Sequence, residues 1–197
     1  IAAKHQKLKN LFPSLSNKSF NLLDFGCGIG NFYEHLIDYF PRATYTGVDP
    51  SKKSIQQARS RFQTDLIFRE SESIEWRSLQ YDLIYASGVF HHIQNSEHAS
   101  LIQELCALLR ENGRLVIWEH NPLNPVTQKI VKDCCFDRDT VLVTSKDLRN
   151  HFHRASFTNI QVIYTTFFPK FLSSLYFLDR YLGWLPLGGQ YLVTGQK

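Results

Sequence analysis

An α/β fold built on a doubly wound, mostly parallel sheet follows from three features of this 197-residue chain. Strand-like and helix-like segments alternate from residue 20 onward. A glycine-rich turn, Gly26-Cys27-Gly28-Ile29-Gly30, separates the first strand from the helix after it. No internal repeat, low-complexity segment or linker breaks the alternation, so residues 1–197 read as one domain with a helical lead over 1–20. A single core of this size buries about 70% of the surface that the unfolded chain exposes.

The elements follow in order. Residues 21–25 read as a buried strand that runs into the glycine turn. Phe32, Leu36 and Phe40, beside Tyr33 and Ile37, recur at helical spacing until Pro41 ends the run. Thr44–Val48 is the second strand, ending at Asp49, and Ile55, Ala58 and Phe62 mark a helix capped by Ser51. Leu66–Phe68 and Leu83–Tyr85 are the third and fourth strands. Leu101, Leu105 and Leu108 line a helix expected to close at Asn112-Gly113, before a fifth strand over Arg114–Trp118. Asn121–Pro125 is a loop, and Val126, Ile130 and Val131 mark a short helix. Thr144 and Asp147 form a capping-box pattern ahead of Leu148, Phe152 and Ala155. Ile160, Val162 and Tyr164 alternate as a strand, and Tyr191–Val193 is the last one.

Composition narrows the class. With 43% hydrophobic and 20% charged residues the chain is neither disordered nor collagen-like. The four cysteines make no CxxC pair and no zinc-spaced cluster; Cys134 and Cys135 are expected to be buried small hydrophobes. Lys4, Lys7, Lys9 and Lys18 precede the first acid, Asp24, and the remaining 18 basic residues balance 18 acidic ones. The body therefore offers no basic excess for nucleic acid. There is no uninterrupted apolar run of ~18 residues and no signal-peptide core, so a cytoplasmic protein without stable membrane insertion is expected. The chain has no methionine and is expected to begin inside a longer protein.

In an open α/β sheet, ligands bind beyond the carboxyl ends of the strands. Asp24, Gly26, Cys27, Gly28 and Gly30 at the first strand end bring bare backbone and a helix start close to a ligand. Asp49, followed by Pro50 and Ser51, lies 19 positions beyond Gly30, where a carboxylate can accept hydrogen bonds from ribose hydroxyls. Glu70-Ser71 can offer an acceptor to an adenine amino group, and Ser87-Gly88 supplies backbone near the reactive end. Cys27 reads as a small filler beside the ligand. A nicotinamide dinucleotide would need a third glycine where Asn31 stands, and its pyrophosphate would meet the Asp24 anion. One such like-charge pair costs on the order of 4 kcal/mol at ~4 Å and an effective dielectric near 20. S-adenosylmethionine carries an ammonium that suits Asp24 and has no phosphate, so it is the expected cofactor.

These residues resemble a known family. Leu22-Leu23-Asp24-Phe25-Gly26-Cys27-Gly28-Ile29-Gly30 is similar to the first motif of class I S-adenosylmethionine-dependent methyltransferases, and Tyr45-Thr46-Gly47-Val48-Asp49-Pro50-Ser51 to their second-strand motif. Residues 81–93 resemble the fourth-strand motif of the small-molecule branch, which includes quinone-biosynthesis enzymes; residues 109–117 resemble the helix-turn-strand that follows. The likeness spans about residues 20–120. It implies a seven-stranded sheet with an antiparallel last strand and a small-molecule methyl acceptor; because the sulfonium methyl is already activated, no metal is expected.

The acceptor side is read from fewer signals. A positioned imidazole with a pKa near 6.5 can take a proton from an acceptor, so His92, His91, His120 and Glu119 are candidate bases in that order. The alternative is that His91 and His92 cap a helix or pack as neutral rings. Asn121-Pro122 shares two residues with a nucleobase-methylating motif, but stands after the fifth strand, not the fourth, and lacks the second proline. Residues 169–189 insert Phe171, Leu172, Leu175, Tyr176, Leu178, Leu182, Trp184 and Leu185 before the last strand, with Lys170 and Arg180 as the basic residues. That insertion reads either as a helix packed on the sheet or as an apolar lid or interfacial helix for a lipid-like acceptor. The expected activity is methyl transfer from S-adenosylmethionine to a small organic acceptor held at ~3–3.5 Å. A non-catalytic S-adenosylmethionine sensor or partner subunit and a nicotinamide-dependent oxidoreductase stand as alternatives.

Overall fold

Residues 2–65, 67–134 and 140–197 are described by the structure, a computed structural model, those at 2, 3, 37, 170 and 171 by their backbone alone. Leu66 as the start of the third strand, Cys135 as a buried hydrophobe, and the side chains of Ile37 and Phe171 therefore lie outside the described residues. The strands are β1 (Phe20–Phe25), β2 (Ala43–Asp49), β3 (Phe68–Glu70), β4 (Tyr81–Ser87), β5 (Leu109–His120), β6 (Thr158–Thr165) and β7 (Gln190–Gln196). They form a seven-stranded sheet in the order β3-β2-β1-β4-β5-β7-β6. β1 pairs in parallel with β2 and β4, and β2 with β3, whereas β7 runs antiparallel to both β5 and β6. The parallel sheet with an antiparallel last strand is the architecture expected from sequence. The chain packs as two compact units, Ile1–Ala86 with Leu108–Gly113, and Ser87–Ala107 with Arg114–Lys197.

In the first unit, Leu22, Leu23, Val48, Leu83 and Ile84 are fully buried, as strands covered on both faces require. Helix α1 (Ala2–Leu11) docks through His5, which stacks on Phe32 at 4.1 Å and hydrogen-bonds the Phe32 carbonyl at 2.8 Å. The helix expected from Phe32 to Phe40 is instead a 3-10 turn (Tyr33–His35) followed by the short α2 (Leu36–Tyr39). His5 occupies the carbonyl that the Leu36 amide would use in an α-helix, and that amide turns to the Tyr33 carbonyl. Phe32, Leu36 and Phe40 are nonetheless all buried. Helix α3 (Lys52–Phe62) starts where the Ser51 hydroxyl accepts the Ser54 amide at 3.2 Å. The register of β3 sets Phe68, Arg69 and Glu70 against Gly47, Val48 and Asp49.

In the second unit, Leu115, Val116, Ile117, Leu192 and Val193 are fully buried. Helix α4 (His98–Leu108) ends as the chain passes into residues of the first unit, before the expected Asn112-Gly113, because Leu109 is already in β5 and Asn112 makes its turn there in the left-handed region, at φ 64°. Helix α5 spans Pro125–Asp133. Helix α6 (Ser145–Arg154) has the Thr144 cap: its Oγ1 accepts the Asp147 amide at 3.1 Å and donates to Asp147 Oδ2 at 2.6 Å.

The insertion is not one regular helix. A 3-10 segment (Lys170–Leu178), kinked at Leu172, leads into the short α7 (Asp179–Leu182). It is tied to β6 because the Tyr164 amide donates to the Gly183 carbonyl at 2.8 Å and the Thr166 amide to Asp179 Oδ2 at 3.2 Å. Leu175, Leu178, Leu182 and Leu185 are half-buried, whereas Leu172, Tyr176, Phe177, Tyr181, Trp184 and Leu187 are exposed.

Candidate functional site

The glycine loop leaves β1 and is fastened to β2, with the Gly26 and Cys27 amides donating to the Val48 carbonyl at 2.8 and 2.9 Å. Gly28 has φ +55°, and a Cβ there would meet nothing within 4 Å. Gly30 has φ +79°, and its Cβ would lie 2.7 Å from Phe62 Cε2 and 2.9 Å from Phe68 Cζ. Gly28 thus presents bare backbone to open space, while Gly30 lets the turn close on the aromatic core.

Asp49 reaches this loop from the end of β2. Its Oδ2 accepts the Gly28 amide and its Oδ1 the Ser51 amide, both at 2.9 Å. Pro50 has no amide hydrogen, so Ser51 is the first donor available after Asp49. The Ser71 amide donates to the Asp49 carbonyl at 3.1 Å, which brings the end of β3 to the end of β2. Glu70 is partly exposed, with Lys52 Nζ at 3.4 Å from its Oε2.

Asp24 is buried, and Tyr45 donates its hydroxyl to Asp24 Oδ2 at 2.7 Å. Burial pushes the Asp24 carboxyl up to about 7, with the Tyr45 hydrogen bond opposing and the Asp49 charge adding. It is therefore a titrating group near neutral pH, not the fixed anion that the charge argument from sequence assumed. Nothing in the sequence singled out Tyr45; its role needs β2 laid beside β1. Burial first, then the carboxylates of Asp24 and Asp49, pushes the Cys27 thiol far above its ordinary range, so it stays neutral.

The second unit holds the other cluster. The Gly88 amide, just past Ser87, donates to the Trp118 carbonyl at 2.8 Å. A 3-10 turn (Phe90–His92) follows, and Glu119 receives its start: Oε1 accepts the amides of Val89 and Phe90 at 2.9 and 2.8 Å. Glu119 Oε2 lies 2.6 Å from His91 Nδ1, both side chains being buried. The His92 ring, exposed, is 4.2 Å from that of His91, and the half-buried His120 ring is 5.6 Å from it. The four acceptor-side candidates thus form one group. Asn121, by contrast, is a buried staple whose Nδ2 donates to the carbonyls of Pro186 and Gly188 at 3.1 and 2.7 Å.

Sheet order, antiparallel last strand and glycine loop define the Rossmann-like class. Within that class a family model described as a methyltransferase domain matches residues 2–162, and the chain belongs to this family. It is similar to the trans-aconitate 2-methyltransferase of Rhodopseudomonas palustris strain BisA53, 29% identical over 132 residues, which are 66% of this chain and 50% of that protein. It is also similar to the malonyl-[acyl-carrier protein] O-methyltransferase of Priestia megaterium, 32% identical over 114 residues, covering 57% of this chain and 41% of that one. The chain thus spans half, or somewhat less, of the length of these curated relatives. A solved S-adenosylmethionine-dependent methyltransferase from Archaeoglobus fulgidus shares the fold, with a TM-score of 0.74 at 16% identity, covering 100% of this chain and 94% of that one.

Proposed function

We propose that the chain is an S-adenosylmethionine-dependent methyltransferase acting on a small organic acceptor of apolar or lipid-like character. The observation that carries this reading is the Asp49–Gly28 hydrogen bond beside open space on the side of Gly28 where a side chain would stand. That arrangement fits the cofactor: the loop offers backbone without a side chain in the way, and Asp49 retains lone pairs for ribose hydroxyls. In the first unit, Gly26, Gly28 and Gly30 would hold the cofactor's amino-acid end, Asp49 its ribose, Glu70-Ser71 its adenine and Asp24 its ammonium. The bound cofactor supplies a methyl group already activated by its sulfonium.

In the second unit, Glu119 and His91 hold each other and the turn that carries His92. His92 and His120 are the candidate proton acceptors for an oxygen, nitrogen or carbon nucleophile with a dissociable proton. The exposed aromatic segment 172–187 supports an apolar acceptor. The names of the relatives point to carboxylic acids, so acids with and without long apolar tails belong in the acceptor panel.

The test is calorimetric titration with S-adenosylhomocysteine, beside an Asp49→Ala variant, followed by transfer of labelled methyl to that panel. Micromolar binding, weakened in the variant by about 1.5–3 kcal/mol, is expected. No binding by a folded sample would overturn the proposal.

A further inference from the structure

We infer that the second unit carries a docking face for the surface of an anionic phospholipid bilayer. This goes beyond the methyl-transfer proposal and does not depend on it. The face has two parts. One is the segment before β7, where Tyr176, Phe177, Tyr181, Trp184 and Leu187 are 45–75% exposed. The other is α5 and the loop before it, where Leu123, Val126 and Ile130 are 61–63% exposed. Asn124 joins them by donating its Nδ2 to the Leu187 carbonyl at 2.7 Å, as Asn121 does with Pro186 and Gly188. The two apolar runs therefore share one anchored border.

Scattered apolar residues on a surface need no explanation, but a cluster of eight on two hydrogen-bonded segments does. Its chemistry selects the occupant. Aromatic residues with a polar edge, Tyr176, Tyr181 and Trp184, suit the boundary between headgroups and acyl chains, where one end of the ring is apolar and the other wet. The cations are placed for headgroup phosphates. Lys129 sits between Val126 and Ile130 on the exposed side of α5, with Lys132 one residue past buried Val131. Arg180 lies over the Tyr181 ring at 4.6 Å. Among the described residues, no ion pair occupies Lys129, Lys132 or Arg180. The one acid in 169–189, Asp179, accepts the Thr166 amide through its Oδ2. An exposed aromatic face with Lys129, Lys132 and Arg180 at its edge, against one exposed acid at the end of α5, Asp133, complements an anionic interface better than an uncharged apolar ligand. No helix among the described residues is long and apolar enough to cross a membrane, so the face would lie on the bilayer.

Trp184 provides the readout, because Trp76 and Trp118 are buried while Trp184 is 75% exposed. The whole chain is mixed with phosphatidylcholine vesicles, with and without phosphatidylglycerol, and followed by flotation and tryptophan emission. Flotation with the phosphatidylglycerol vesicles, a blue-shifted emission and loss of both at high salt are expected. Phe177→Ser with Trp184→Ser is expected to lower vesicle affinity by at least about tenfold. Lys129→Glu with Lys132→Glu should remove the preference for phosphatidylglycerol; circular dichroism and S-adenosylhomocysteine binding check that each variant folds. Absence of flotation by the folded wild type, undiminished binding by both variants, or indifference to phosphatidylglycerol would overturn the inference. So would a dimer, seen by light scattering, that Phe177→Ser with Trp184→Ser dissociates, since the face would then belong to a second copy.

Discussion

Glu119 Oε2 lies 2.6 Å from His91 Nδ1, while Glu119 Oε1 accepts the amides of Val89 and Phe90. A buried carboxylate is tolerable only when satisfied in this way. Glu119→Ala strands these buried donors and is expected to cost about 3–5 kcal/mol of stability. Glu119→Gln keeps the oxygen that accepts the two amides and should cost less, about 1–3 kcal/mol. Urea unfolding of both variants checks the order, and an unchanged midpoint in Glu119→Ala would show that the pair holds nothing.

Asp24 predicts a pH dependence. Burial raises its carboxyl from the ordinary value of 3.8 to about 7 in the folded chain. Between those values the folded state keeps a proton that the unfolded state has lost. The stability contribution is therefore full below the unfolded pKa and is lost as pH rises through the folded one, in total on the order of 4 kcal/mol. Asp24→Asn, which still accepts from Tyr45, should flatten the dependence and be the more stable protein at about pH 8. Urea midpoints of both proteins at about pH 5 and about pH 8 test this. Under the proposed function, cofactor affinity should rise over the same range as Asp24 becomes an anion.

Gly28 and Gly30 should fail differently. In Gly30→Ala the new methyl meets Phe62 and Phe68 below 3.0 Å at a left-handed φ, so stability should fall by about 2–4 kcal/mol. Gly28→Ala has open space and only the left-handed cost of about 1–2 kcal/mol. Under the proposed function that space holds the cofactor, so the main effect should be on S-adenosylhomocysteine affinity. Thermal melts beside calorimetry separate the two; a Gly28→Ala protein that binds normally would move the cofactor elsewhere.

His92 and His120 carry the catalytic expectation. Loss of a general base typically costs about 10²–10⁴-fold in rate. Once an acceptor is found, His92→Ala or His120→Ala should lower kcat on that scale while leaving S-adenosylhomocysteine affinity unchanged. Rates near wild type in both variants and in the double variant would remove them as bases.

The glycine turn, its partner Asp49 and the sheet class were legible in the sequence because they depend on local spacing: a strand, a bare turn, a helix, and a carboxylate at the next strand end. Burial periodicity was legible too, since Phe32, Leu36 and Phe40 are inside even though the backbone around them is not one α-helix. Only the tertiary structure could decide features set by distant partners. His5, 27 residues away, takes the Phe32 carbonyl and shortens α2. The pairing with β2 fixes the register of Phe68–Glu70. Burial between the strands lifts the Asp24 carboxyl to about 7, while Tyr45, reached only across β2, gives it a hydrogen-bond partner that opposes the rise. In residues 169–189, helical spacing of apolar side chains left open a helix packed on the sheet and an apolar lid or interfacial helix. Which side faces inward was set by the Gly183 and Asp179 ties to the end of β6, and those ties leave Phe177 and Trp184 in water. Local spacing determines what a segment can bury; competition among distant donors, acceptors and surfaces determines what it does bury.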